Sequence, residues 1–108
     1  MSLFHIPRVN VIESDTGFSI EILGRVGLEY REVYKVLFVD SEILMTEAPT
    51  IAIWKDRIRI WQPPHNNEQI TEEMRIEILK RICSALKWRN VQVEIHSEAD
   101  GWEKGWLE

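Results

Sequence analysis

The step Trp61-Gln62-Pro63-Pro64-His65 constrains this chain more than any other stretch. Two consecutive prolines fix the backbone direction and remove two amide donors, so neither a strand nor a helix runs through them. The joint divides a strand-rich first half from a helix followed by a closing strand. That order points to a small α+β domain.

Before the joint, apolar residues alternate with polar ones. Val9, Val11 and Ile12 suggest a short first strand, ended by the turn composition Ser14-Asp15-Thr16-Gly17. Phe18, Ile20 and Ile22 alternate with Ser19 and Glu21, and Leu28 and Tyr30 with Glu29 and Arg31. Tyr34 to Val39 is again β-rich. The spacing also predicts a hairpin over residues 50–61, turning at Lys55-Asp56. It would pair Ile53 with Ile58 and Ile51 with Ile60, leaving Ala52, Trp54, Arg57, Arg59 and Trp61 on the other face.

After the joint, Thr71 is a good N-cap, with Glu72 and Glu73 in the first helical turn. Met74, Ile78, Ile82 and Ala85 recur at helical spacing, flanked by Leu79 and Leu86. Glu77 and Arg81 make a favourable i,i+4 pair. Asn90 is suited to the left-handed conformation that ends a helix. Val91, Val93 and Ile95 alternate with polar residues as a last strand. The expected architecture is an antiparallel sheet of about five to six strands with one long helix packed on one face, in a single domain spanning residues 1–108.

Composition bounds the function. The chain has 108 residues, enough to bury roughly two-thirds of its unfolded surface around one core. A charged fraction of 29% against 44% hydrophobic argues for a folded globule. A lone cysteine, Cys83, excludes an internal disulfide and fits a reducing compartment; at the helix stripe it reads as a small buried hydrophobe. No apolar run approaches the ~18 residues that span a bilayer, and the N-terminus has no signal-peptide pattern, so a cytoplasmic location is expected. The net charge is −5, and residues 94–108 hold four of those negative charges, with five acids against Lys104 alone. An acidic end, segment 97–108, repels nucleic acid and attracts a basic partner.

Catalytic motifs are missing. There is no nucleophile elbow, phosphate-cradling glycine loop or dinucleotide fingerprint. His5, His65 and His96 lie in three separate segments without zinc-site spacing, so no metal or cofactor is expected. Asp40 and Glu42 are two apart and share one face of an extended segment, as a solvated strand end, a carboxylate pair or a contact for a partner's basic groups. The tail Asp100-Gly101-Trp102-Glu103-Lys104-Gly105-Trp106-Leu107-Glu108 places two tryptophans among acids, to dock on the domain itself or on a partner.

Several of these pieces occur in a familiar order: Gly27-Leu28-Glu29-Tyr30-Arg31-Glu32, Val39-Asp40-Ser41-Glu42-Ile43-Leu44, Ile51-Ala52-Ile53-Trp54, then Ile58, Trp61, Pro63-Pro64-His65, and Ile70-Thr71 opening a helix that closes near Ala85-Leu86. Over residues 27–95 the chain resembles a family of bacterial immunity proteins of polymorphic toxin systems, immunity protein 74. The resemblance implies a small cytoplasmic protein that binds a cognate protein toxin and is not an enzyme. On that reading the contact candidates are Asp40, Glu42, Trp61, His65, Asp100, Trp102 and Trp106. Two other readings stand beside it. One is a small enzyme with Asp40, Glu42 and His65 around a cleft near the diproline; the other is a structural module that forms a homodimer by pairing strand edges.

Overall fold

The computed structural model describes residues 3–24, 27–44 and 47–97. Its strands are β1 (Phe4–His5), β2 (Val11–Ser14), β3 (Phe18–Ile22), β4 (Gly27–Glu32), β5 (Lys35–Leu44), β6 (Thr50–Trp54) and β7 (Gln92–His96), with one long helix, α1 (Glu72–Trp88). They form one seven-stranded sheet whose spatial order is the chain order. The first five pairings are antiparallel, and β6 pairs with β7 in parallel, connected through α1. The α+β class and the long helix match expectation. The strand number is seven rather than five to six, and the sheet is mixed.

Cross-strand register explains the core. Ile12, Ile20, Tyr30 and Leu37 form one row across β2 to β5, and Ile22, Leu28 and Val39 form the next. Ile51 and Ile53 extend this inner surface on β6. Against it α1 lays Ile78, Ile82, Ala85 and Leu86. Sequestering each large aliphatic chain here contributes about 1.5–3 kcal/mol.

The ends of α1 follow local chemistry. The Thr71 hydroxyl accepts the Met74 amide at 3.2 Å, and Glu72 and Glu73 occupy the positively polarised first turn. At the other end Asn90 has φ +65°. The Val91 amide donates to Leu86 O and the Asn90 amide to Lys87 O, both at 2.9 Å, so a Schellman closure turns the chain into β7. Arg81 meets Glu77 at 3.4 Å, as the spacing predicts. Cys83 is half-buried beside the stripe rather than within it, and burial raises its thiol pKa.

The expected hairpin over residues 50–61 does not form. Lys55–Arg57 make a 3-10 turn, and the chain then leaves the sheet. Lys55-Asp56 lacks the residues that favour a two-residue hairpin turn, and Asp56 is held otherwise: its carboxylate accepts Ser97 Oγ at 2.6 Å and its carbonyl accepts Arg59 Nε at 2.7 Å. The edge of β6 that Ile58–Trp61 would have filled is taken by β7. Ile58 drops into the core, whereas Ile60 is 55% exposed and bridges to Gln69. The first strand also differs. Val9 is exposed, β2 begins at Val11, and the two-residue β1 precedes it.

Trp61 itself is only 1% exposed. Its ring lies 6.4 Å from that of Tyr30, and Lys35 Nζ stands 5.4 Å over it. The Gln62 amide donates to Val36 O at 2.8 Å, which pins the diproline segment to the start of β5; the Pro63–Pro64 bond is cis.

Candidate partner-binding face

Helix α1 covers one face of the sheet. The alternation of β5 sends Leu37 and Val39 to that face and Phe38, Asp40 and Glu42 to the opposite, outer one. Register then assembles the outer surface from strands distant in sequence. Glu42 stands beside Ala52, which stands beside Glu94; Trp54 stands beside His96. On the meander side Glu29 neighbours both Glu21 and Phe38. The result is an acidic face with aromatic islands.

Its charges are unevenly satisfied. Asp40 Oδ2 accepts from Arg57 Nη1 at 3.2 Å, and Glu29 from Arg31 Nη2 at 2.9 Å. Arg8 reaches Glu21 at 3.9 Å. Glu42 is exposed and has no ion-pair or hydrogen-bond partner among the described residues. The Trp54 and His96 rings lie 4.9 Å apart, with His96 Nε2 3.2 Å from Glu94 Oε1. Phe38 is 39% exposed and lies over Gly27, where a Cβ would collide with its ring. A side chain at position 27 would therefore displace the aromatic ring above it.

Asp40 and Glu42 share the outer face, separated by about 7 Å along the strand. Asp40 is engaged by Arg57, and among the described residues no hydrogen bond joins its carboxyl to that of Glu42. His65 belongs to a different neighbourhood. Its Nδ1 is 2.9 Å from Glu68 Oε2, and Glu68 Oε1 is 2.5 Å from Lys35 Nζ at the far end of β5. Five residues of extended chain, roughly 16 Å, separate Lys35 from Asp40. The structure therefore does not gather Asp40, Glu42 and His65 into one cleft. Among the described residues no group of three His, Cys, Asp or Glu side chains is arranged to hold a metal ion.

Trp61 is withdrawn from the surface by its burial, which corrects its placement as an exposed anchor. The alternating aromatic and guanidinium stripe of the expected hairpin dissolves with it, since Trp54 faces outward, Trp61 inward, and Arg57 and Arg59 turn to Asp40 and Asp56. Asp100, Trp102 and Trp106 lie outside the described residues. Sequence reasoning missed Phe38 and Glu94 as neighbours of the acidic pair. The alternation of β5 contains the signal for Phe38; Glu94 is joined only by the parallel β6–β7 register, for which no local signal exists.

On the covered face a second polar group closes the edge of the core. The buried Tyr30 hydroxyl donates to Glu32 Oε1 at 2.7 Å and accepts from Arg81 Nη1 at 2.9 Å; Arg81 also reaches Glu32 at 3.1 Å. Burial drives the Tyr30 phenol pKa well above its ordinary range, the Arg81 donor opposes this, and Glu32 adds to it. This triad ties α1 to β4.

The Lys35 ammonium, and after it His65, hold the Glu68 carboxyl below its usual range. A lowered folded-state pKa stabilises the fold above the unfolded carboxylate value, and that contribution fades as pH falls through the folded value. Glu68→Gln is expected to flatten the loss of stability with acidification below about pH 4.3, read from urea midpoints across that range. A variant with the wild-type slope would show that the contact contributes nothing to folding.

A protein-family model described as immunity protein 74 matches residues 19–96, from β3 through β7. No curated protein and no solved structure matches the chain. No helix among the described residues is long and apolar enough to cross a membrane.

Proposed function

Because this chain belongs to the immunity protein 74 family, we propose that it protects the bacterium that makes it by binding a cognate protein toxin and blocking it, with no chemistry of its own. The observation that carries this beyond the family is the outer face: a sheet surface, backed by the packed core beneath, that bears the half-exposed Phe38 and, at Glu42, a carboxylate with no partner among the described residues. Such a surface suits a basic partner. Carboxylates steer the encounter, and the aromatic supplies area that is desolvated on contact. The dispersal of Asp40, Glu42 and His65 supports binding over catalysis. Action in the cytoplasm, before the toxin reaches its target, is part of the same proposal.

The test is calorimetry with the purified toxin domain encoded by the adjacent open reading frame, paired with growth rescue on co-expression. A saturable complex tighter than about 1 μM, equivalent to roughly −8 kcal/mol, is expected together with loss of toxicity. No heat of binding at micromolar concentration, or rescue without binding, would sink the proposal.

A further inference from the structure

The turn between β4 and β5 is built against the preferences of its own residues. Register pairs Glu32 with Lys35, so Val33 and Tyr34 are the two central residues of a tight hairpin. Such turns use positive φ at the first central position or at both, and they favour Gly, Asn or Asp there. Val33 has φ +52°. A β-branched side chain in that region is crowded against its own backbone, and glycine would relieve it.

Among the described residues no core contact requires the arrangement. Val33 is 80% exposed and Tyr34 84%, and neither packs on the core. Tyr34 has no hydrogen bond or ring contact among the described residues. Strain, an exposed valine and an exposed tyrosine therefore coincide at one tip, each unfavourable for folding or solubility. Strain held at an exposed tip is a reason to look for function there.

The flanking charges define what the tip can meet. Glu32 is occupied by Tyr30 and Arg81, and Lys35 by Glu68. Both ends of the turn are neutralised internally. What projects is an isopropyl group and a phenol whose hydroxyl has no partner among the described residues, held by a paired hairpin. We propose that Val33 and Tyr34 are a preformed anchor that inserts into an apolar cleft of the toxin, with one polar group at its floor to meet the Tyr34 hydroxyl. This rests on the toxin-binding reading above. Tyrosine suits the role because it brings large amphipathic area at low entropic cost. Seven residues separate Val33 from Asp40, roughly 23 Å of strand. A standard interface of about 800 Å² per partner is roughly 28 Å across, so the anchor and the acidic face fit within one footprint.

The chain holds only two tyrosines, Tyr30 and Tyr34. Tyr30 is enclosed and hydrogen-bonded, so acetylation by N-acetylimidazole, located by mass spectrometry, reports on Tyr34 alone. In the free protein Tyr34 is expected to react readily. With the toxin domain from the adjacent open reading frame at saturation, its rate should fall at least tenfold. Tyr34→Ala should weaken binding by about 10- to 100-fold without moving the urea midpoint. Val33→Gly should raise the urea midpoint and still weaken binding several-fold, a combination that general damage to the fold would not produce. A wild-type complex in which Tyr34 reacts at the free rate, or in which both variants bind as wild type, overturns the anchor and leaves toxin binding standing. Absence of any wild-type complex removes both.

Discussion

Trp61→Ala is expected to lower the free energy of unfolding by about 3–5 kcal/mol, the usual cost of emptying a buried aromatic site. Most small domains hold only about 5–15 kcal/mol, so this variant should unfold at much lower urea and hold a measurable unfolded fraction at modest temperature. Trp61→Phe is expected to cost far less, under about 2 kcal/mol. The reason lies in the indole nitrogen. It is buried and has no hydrogen-bond partner among the described residues, so its removal relieves a desolvation penalty that partly offsets the lost ring volume. Urea denaturation of the three proteins checks both statements. Equal losses for the alanine and phenylalanine variants would mean that the indole donor matters and that ring bulk does not.

Asp40→Lys combined with Glu42→Lys is expected to weaken the toxin complex by at least 100-fold, chiefly through slower association, and to reverse the salt dependence of the rate. The two positions are unequal. Asp40 already shares its charge with Arg57, while Glu42 presents its own to solvent, so Glu42→Lys alone should account for the larger share, about tenfold or more. Glu42→Lys should leave stability within about 0.5 kcal/mol, as for other exposed sites without partners. The Asp40 reversal sets a lysine against Arg57 and should cost somewhat more. Stopped-flow association at several salt concentrations reads this directly. Unchanged rates in the double variant would move the interface off the outer face.

The legible parts of the fold are those written locally. Thr71, the Ile78–Ile82–Ala85 stripe and Asn90 are signals within one or two turns, and they place both ends of α1. The pairing of β3 with β4 is readable from alternation and a short connection. Residues 50–61 are different. Alternation there fits a hairpin as well as it fits an interior strand followed by an excursion, and only the docking of β7 on β6, nearly forty residues later, decides between them. Trp61 was misread for the same reason, since its side follows from leaving the sheet rather than from its parity along a strand. The two-residue β1 is too short to have a period. The β4–β5 turn was unreadable because Val33-Tyr34 has none of the glycine, asparagine or aspartate that normally marks such a bend. For the site, the shared orientation of Asp40 and Glu42 follows from spacing alone, whereas their neighbours Ala52, Trp54 and Glu94 are contributed by non-local pairing.

The ten residues of β5 carry one more implication. Up to Asp40 the strand is bonded to β4, and from Ser41 onward to β6. The antiparallel meander and the crossover unit are therefore planks nailed to a single beam, with the splice beneath Asp40 and Glu42. A grip applied at that splice therefore loads both halves together through the backbone of β5.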